Sequence, residues 1–368
     1  MCQLPRDTTR AVSTFAFLAT ILVVMCHTDD VMPITSRSWV VHFFGGTFSD
    51  SNVCNFFFLS GFLLGRHFGE REWWRRSLVS RLHTLVVPYI LWCIIDFFAS
   101  GAFFKERLLL FSAFSGDGGG IANGVVVIAK MMKQVFGLGF LVPPCNFPLW
   151  YIKTLLYFIL ISVVVFPAAL RTARQFTVVV VILISFYVLG HSLHLTIMPY
   201  FGFCFHLLGF VSFLFGAYCA SRDLIILPQW FLTFSPIVPC AIWCIVSMVC
   251  FIVTPIVRGS WIILSPVNIA VSIFCLVWIA FSSKVNFSSK YSSVMFFIYA
   301  GHMTMLNALS TVVCDLLDST LCFFVLLGAT TAACIVVGRI CTSMCPHFTS
   351  LLTGGRSEMP KRDIGQNP

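Results

Sequence analysis

The sequence predicts an all-α fold, a polytopic membrane helix bundle of about ten transmembrane helices with both termini in the cytoplasm. Of its 368 residues, 58% are apolar and 10% are charged, and the mean hydropathy is +0.94. A soluble domain carries about 25% charged residues, so a large soluble core is excluded. The basic residues cluster in short segments between apolar runs. The net charge of +9 is therefore explained by topology, and we expect no nucleic-acid partner.

Ten apolar runs are candidate membrane spans. In chain order they occupy residues 13–28, 52–67, 85–104, 149–168, 175–190, 200–220, 235–257, 262–282, 292–313 and 320–344. The second and fifth runs are short, so we expect tilt or partial burial there. With the N-terminus inside, most Lys and Arg residues fall on the cytoplasmic side. The first run lacks a small-residue cleavage site and is interpreted as a retained span.

The membrane domain is predicted to cover residues 1–350, and residues 351–368 are predicted to form a short polar cytoplasmic tail. One long outer segment, residues 105–148, contains a glycine-rich break at 116–120. The apolar and basic stretch after that break predicts a helix on or partly in the outer membrane surface.

The cysteines and histidines do not form a metal-binding pattern. Most of the 16 cysteines lie inside apolar runs, and no C-x-x-C occurs, so they are predicted to act as small apolar residues. Several histidines fall on or near the outer side together with Asp29 and Asp30: His42, His191, His194 and His206. No ligand pair among them has a diagnostic helical spacing, so we expect no metal.

A basic segment joins the second and third apolar runs, within residues 52–92. It contains five arginines: Arg66, Arg71, Arg75, Arg76 and Arg81. We expect a short cytoplasmic loop here, because basic residues between spans mark the cytoplasmic side. The same arginines could also bind a soluble polyanion at the membrane surface.

The first apolar run ends in ILVVMCHTDD, which places His27 near the predicted outer end of the span. Ionisable groups at membrane depth are costly and usually face a cavity or a partner. If the helix continues for one more turn, Asp30 shares a face with His27 at i,i+3 and could orient its imidazole. The alternative is an interfacial histidine followed by two solvated carboxylates.

Several blocks, in order along nearly the whole chain, resemble the integral membrane acyltransferase family 3. They are FLATILVVMCHTDD, NFFFLSGFLL with the basic segment and RLHTLVVPYILW, PLWYIKTLLYFILIS at 148–162, and SSVMFFIYAGHM at 292–303. The resemblance implies transfer of an acyl group, often acetyl, from cytoplasmic acyl-CoA to sugars of surface glycans or to other exported molecules. His27 occupies the place of the family's essential first-span histidine. Many members have an arginine eleven residues before this histidine, and here that position is Ala16.

The chemistry implied by the resemblance assigns roles to the first candidates. A sugar hydroxyl needs a base with a pKa near neutrality, which His27 could supply with Asp30 as its partner. A transient acyl-histidine is the alternative route. Arg75, Arg76 and Arg81 are candidates for binding the phosphates of acyl-CoA.

Five further residues are candidates for the acceptor site or the acyl channel, each with a structural alternative. Ser60 lies in a short stretch of small residues whose role could be helix packing alone. Trp150 fits an aromatic belt, and Lys153 needs a partner at membrane depth. Tyr299 and His302 match the family's Tyr-x-x-His block, and a hydrogen-bonded core histidine is an equal alternative for His302.

Together these observations predict a multi-pass protein of the plasma (inner) membrane. Its expected partners are membrane lipid, acyl-CoA as the donor, and a glycan or lipid-linked sugar as the acceptor. Two rival classes also fit many spans and few charges. One is a transporter, flippase or polymerase of lipid-linked glycan, and the other is a non-enzymatic scaffold.

Overall fold

A computed structural model of the chain describes residues 6–33, 37–70, 72–99, 121–138, 144–193, 203–224, 231, 233–283 and 292–355. These residues form helices and connecting turns without a strand. The α-helices are α1 (Arg6–Val31), α2 (Trp39–Val41), α3 (Asn52–Gly65), α4 (Trp73–Arg81), α5 (Val87–Ala99), α6 (Ile121–Val135), α7 (Trp150–Ala169), α8 (Ala173–Ser192), α9 (Phe203–Ser221), α10 (Ile237–Ile256), α11 (Trp261–Ser282), α12 (Ser292–Val313), α13 (Ser319–Met344) and α14 (Pro346–Leu352). Two π-helices, His42–Phe48 and Leu82–Val86, follow α2 and α4 directly.

The all-α prediction is confirmed. Within the described residues, eight helical stretches are long and apolar enough to cross a membrane: Thr8–Val31, Trp73–Ala99, Phe147–Ala169, Ala173–Ser192, Ile237–Ile256, Trp261–Ser282, Ser293–Val313 and Ser319–Met344. Helices suit this setting because each satisfies its own backbone hydrogen bonds where no water is present. The chain is therefore an integral, multi-pass membrane protein. The two remaining predicted runs, 52–67 and 200–220, correspond to the shorter α3 and α9.

The chain folds into two compact units. The first comprises Met1–Val79, Tyr151–Phe287 and Leu306–Leu327, and the second comprises Ser80–Trp150, Ser288–Met305 and Gly328–Pro368.

In the first unit, the two shorter helices α3 and α9 pack against each other with their backbones in contact. A Cβ atom added at Gly61 would overlap the carbonyl oxygen of Phe213, and one at Gly65 would overlap that of Ala217. On the other side of the contact, a Cβ at Gly216 would meet the carbonyl oxygen of Phe58. Small residues allow this approach, which replaces the missing hydrophobic driving force in lipid with close packing. The predicted packing role of the small residues around Ser60 is thus observed.

The later part of the basic segment, from Trp73 to Arg81, is helical, which corrects the prediction of a short loop there. Helix α4 begins at Trp73 and continues through the π-helix Leu82–Val86 into α5. The ring of Trp73 stacks on Phe166 at the C-terminal end of α7, with 5.4 Å between centroids. This stacking fixes the start of α4 against the end of α7. Arg75, two residues after Trp73, is exposed.

The second unit is held by buried polar contacts as well as by apolar packing. Trp92 on α5 donates its indole N–H to the carbonyl oxygen of Leu352 at 3.1 Å. Asp96, also on α5, accepts a hydrogen bond from the Thr304 hydroxyl at 2.8 Å. This hydrogen bond stabilises a carboxylate whose burial at membrane depth would otherwise be costly.

Helix α6 lies where the sequence predicts a helix on the membrane surface. Several of its apolar side chains are exposed, among them Val125, Ile128 and Met132. The glycine-rich break at 116–120 lies outside the described residues.

Candidate active site

His27 and Asp30 form a hydrogen-bonded pair near the C-terminal end of α1. The helix continues to Val31, so the two residues share one face. His27 Nδ1 lies 2.8 Å from Asp30 Oδ2. The imidazole is buried, whereas the Asp30 side chain keeps 55% of its surface exposed. This pairing fixes the orientation of the imidazole ring.

The adjacent carboxylate, Asp29, is paired differently. Its Oδ1 lies 3.4 Å from Nε of Arg37, and both side chains are largely buried. Arg37 also donates from Nε and Nη2 to the carbonyl oxygen of Met32, at 3.2 and 2.8 Å. A cation at this place stabilises the carbonyl end of α1 through the helix dipole.

The π-helix His42–Phe48 packs directly against this end of α1. A Cβ at Gly45 would collide with Cβ of Asp29, so only glycine permits the observed approach. Phe48 stacks on Trp243 of α10 with 4.2 Å between centroids. Single π-helical turns are frequent at functional sites, and this one forms a wall of the cavity beside Asp29 and Asp30.

A cavity of about 900 Å³ opens beside the His27–Asp30 pair. Its lining comes from the C-terminal ends of α1, α8 and α10, from the N-terminal ends of α9 and α11, and from the residues just before α3. These helix ends alternate in direction, as expected when successive helices cross a bilayer. The polar and aromatic lining residues include Asp29, Asp30, Thr47, Asp50, Tyr187, His191, Thr254, Trp261, Ser265 and Asn268. His27 is not itself a lining residue and reaches the cavity through Asp30.

Asp50 is a second carboxylate at the cavity, in the turn before α3. Its side chain is exposed at the cavity that it lines. The surrounding protein replaces part of the water around the Asp50 carboxyl, and this desolvation raises its pKa to about 6. The titratable groups on which its charge acts include the thiols of Cys26, Cys54 and Cys250.

The aromatic wall and one amide complete the cavity. His191 lies edge-on to Trp261 at 3.9 Å between centroids and to Tyr187 at 4.6 Å. Asn268 donates to the Thr47 carbonyl oxygen and accepts from the Ser247 hydroxyl, both at 2.9 Å. The amide therefore ties the π-helix to α10 and α11, which fixes the cavity's shape.

The remaining candidates in the first unit lie away from this cavity's lining. The Ser60 hydroxyl donates to the Tyr151 hydroxyl at 2.7 Å, and Tyr151 in turn donates to the Phe56 carbonyl oxygen. Half-buried Lys153 lies close enough to His206 to act on its charge. These contacts are consistent with helix packing, and an acceptor or channel role for Ser60 and Lys153 stays a prediction.

The predicted donor-binding arginines lie on α4. Arg75 is exposed and lies 3.8 Å from Glu72, and Arg81 is half-buried at the end of the helix. Arg76 lies on the same helix, but its side chain is outside the described part of the structure, as is all of Arg71.

Three acceptor or channel candidates belong to the second unit. Trp150 is buried at the start of α7. The Tyr299 hydroxyl donates to the Pro148 carbonyl oxygen. Fully buried His302 bonds through Nδ1 to the carbonyl oxygens of Tyr299 and Ile298, at 2.7 and 3.1 Å. Backbone partners of this kind agree with the core-histidine alternative, and a catalytic role stays a prediction.

Sequence reasoning missed much of the cavity. It did not single out Asp50, Tyr187, Trp261 or Asn268, nor the π-helix as an element. The signal available was the polar run from Gly45 to Asn52, which is unusual directly before an apolar helix. His194 lies outside the described residues, and no group of three or more His, Cys, Asp or Glu residues that could hold a metal occurs in the described part of the chain.

A buried histidine paired with a partly exposed aspartate beside a large cavity, within a bundle of apolar helices, fits a membrane-embedded enzyme. A family model described as an acyltransferase domain matches residues 17–339, and the chain therefore belongs to acyltransferase family 3. No curated protein and no solved structure matches the chain. Ala16 packs against the apolar core of the first unit, in the position where many family members are expected to carry an arginine.

Proposed function

We propose that this acyltransferase moves an acyl group, in the first instance acetyl, from cytoplasmic acyl-CoA to a sugar hydroxyl of an exported or lipid-linked glycan. The observation that carries the proposal is the 2.8 Å contact between His27 and Asp30 at the edge of the cavity. The proposed setting is the plasma (inner) membrane, with both termini in the cytoplasm and the cavity toward the opposite face.

His27 acts as the general base in this proposal. The acceptor hydroxyl gives its proton to Nε2 while its oxygen attacks the thioester carbonyl carbon. The carbon–sulfur bond then breaks, and the imidazolium returns the proton to the departing thiolate of coenzyme A. Asp30 stabilises the positive charge that His27 carries between these two proton transfers. In the alternative route, Nε2 attacks the thioester carbon and displaces the coenzyme A thiolate. The acyl-histidine then transfers its acyl group to the hydroxyl, whose proton goes to the thiolate.

The basic face of α4 binds the donor in this proposal. Guanidinium groups bind phosphate oxygens bidentately, and coenzyme A presents a 3′-phosphate and a diphosphate. Arg75, Arg76 and Arg81 fall on one short helix that follows α3 in the chain.

In this proposal the acyl end of the donor has to extend along the full length of α3 to reach the cavity from the phosphate site on α4. Asp50 precedes this helix and Arg66 follows it, and its 14 residues span about 21 Å. A small apolar void of about 20 Å³ lies between α1, α3 and α11, lined by Phe15, Phe58 and Phe62 among others. This void and the large cavity share no lining residue. In this proposal the pantetheine arm passes between these helices, which move apart to admit it.

The test is acyl transfer by the full-length chain reconstituted in vesicles, with radiolabelled acetyl-CoA outside and glycan acceptor supplied from the producing membrane. His27→Ala should lower transfer by about 10²–10⁴-fold, the usual contribution of a positioned base. His347→Ala removes an exposed histidine on α14 and should leave transfer unchanged. Wild-type transfer by a well-folded His27→Ala variant would refute the assignment.

Mass spectrometry of the protein incubated with donor alone separates the two routes. An acyl group retained on His27 in the absence of acceptor supports the covalent route. An unmodified His27 after incubation of active protein with donor alone supports direct transfer.

A further inference from the structure

The large cavity has an unbalanced charge. Three carboxylates line it: Asp29, Asp30 and Asp50. Neither lysine nor arginine is among its described lining residues, where His191 is the one side chain that could become a cation. The wall of this cavity is therefore acidic.

The three carboxylates are compensated to different degrees. Asp29 is paired with Arg37 at 3.4 Å, and Asp30 is paired with His27, whose charge changes during the proposed reaction. No ion pair to Asp50 lies within the part of the chain that the structure describes. Asp50 is thus the source of a standing negative potential.

This potential acts on the acceptor more than on the donor. The reacting end of an acyl-CoA is an uncharged thioester on an uncharged pantetheine arm, and its phosphates are assigned above to α4. An acceptor sugar has to enter the cavity whole. Its hydroxyls can donate hydrogen bonds to the carboxylates, and its apolar ring face can pack on the aromatic wall formed by Tyr187 and Trp261. An acidic sugar in the same place would meet like charge in a partly desolvated site.

We propose that this cavity selects its acceptor by charge, admitting uncharged or amine-bearing sugars and disfavouring acidic ones, with Asp50 as the determining residue. The inference rests on the proposed function only in taking this cavity as the acceptor site.

The experiment is equilibrium dialysis of the full-length chain in uncharged detergent, at low salt and without any acyl donor. The probes are three radiolabelled pyranosides of similar size: methyl glucoside, methyl glucosaminide and methyl glucuronide. Wild-type protein should bind the glucuronide about tenfold more weakly than the glucoside, the effect of one like charge across a partly screened site. Asp50→Asn should reduce this difference to about threefold or less, while Asp315→Asn, at an exposed turn, should leave it unchanged.

A second measurement does not depend on a variant. Raising the salt concentration should shrink the difference between glucuronide and glucoside in the wild-type protein, because the potential of a solvent-connected cavity is screened. Equal or tighter binding of the glucuronide, discrimination that survives Asp50→Asn in a folded protein, or absence of saturable binding by all three sugars would each overturn the proposal.

The result is separable from the proposed function because no donor is present. If the chain discriminates sugars by charge but transfers no acyl group, the transferase mechanism is refuted and the charge selection stands. If it transfers acyl groups efficiently to an acidic sugar, the charge selection is refuted and the transferase mechanism stands.

Discussion

The contact between His27 and Asp30 makes a quantitative prediction for Asp30→Asn. The substitution keeps the side-chain shape but removes the charge 2.8 Å from Nδ1. A hydrogen bond to a charged group is worth about 1.5–3 kcal/mol. Because 55% of the Asp30 side chain is exposed, solvent screens the interaction and the lower end of that range applies. We therefore expect kcat to fall about tenfold, since about 1.4 kcal/mol corresponds to a factor of ten.

The assay is donor-dependent transfer in vesicles, with kcat and donor KM determined separately. Donor KM should stay near the wild-type value, because Asp30 lines the cavity and the proposed donor-binding arginines on α4 do not. The chain offers a matched control in Glu70→Gln. Glu70 contacts His67 at the same i,i+3 spacing and at 3.1 Å, but both residues are exposed and neither lines the cavity.

A purely structural role for Asp30 predicts a different result. If Asp30 only supports the fold, Asp30→Asn lowers thermal stability and leaves the kcat of the folded protein unchanged. A kcat within twofold of wild type, with or without lower thermal stability, would refute the reasoning.

Three further predictions follow from other contacts. Gly61→Leu should prevent the close approach of α3 to α9 and lower the temperature of unfolding, with a cost of about 1–3 kcal/mol or more. Gly328→Leu, where a Cβ meets open space, should be nearly neutral in the same thermal-unfolding assay; equal losses would show that the backbone contact is absent. The pKa of Asp50 is raised to about 6, so methyl glucosaminide binding should strengthen as the carboxylate ionises between about pH 5 and about pH 7. Asp50→Asn should flatten that dependence in equilibrium dialysis, and a wild-type profile that is already flat contradicts it. Arg81→Ala should raise donor KM severalfold with little change in kcat, because a phosphate contact contributes to binding without touching the reacting atoms. Arg174→Ala, an exposed arginine at the start of α8, should not change donor KM, and identical behaviour of the two variants would leave the α4 arginines as topology signals.

Sequence alone predicted the elements whose cause is local. In a bilayer, a long apolar run has to become a helix, because its backbone has no other hydrogen-bond partners. The i,i+3 contact between His27 and Asp30 was also predictable, since it needs only that α1 continue for one more turn. The glycine directly after Ser60 indicated that this helix packs closely against another, although the sequence did not identify the partner helix.

The parts that were missed depend on residues far apart in the chain. The π-helix has no apolar period of its own, and it exists where Gly45 meets Asp29 and where Phe48 meets Trp243. The cavity is formed by helix ends that are adjacent only in the folded chain. Three of the arginines predicted in a loop, Arg75, Arg76 and Arg81, lie instead on α4. Positive-inside counting locates charge relative to the membrane but says nothing about local backbone conformation.

The backbone contact between α3 and α9 limits how the enzyme could open. Two helices that touch at Gly61, Gly65 and Gly216 cannot slide or separate slightly without losing their whole packing surface. Helices α3 and α9 should therefore behave as one rigid unit during turnover. We therefore expect the space for an incoming thioester to come from displacement of α1 and α11, which border the small apolar void together with α3. Each catalytic cycle would in that case begin by moving the helix that holds His27.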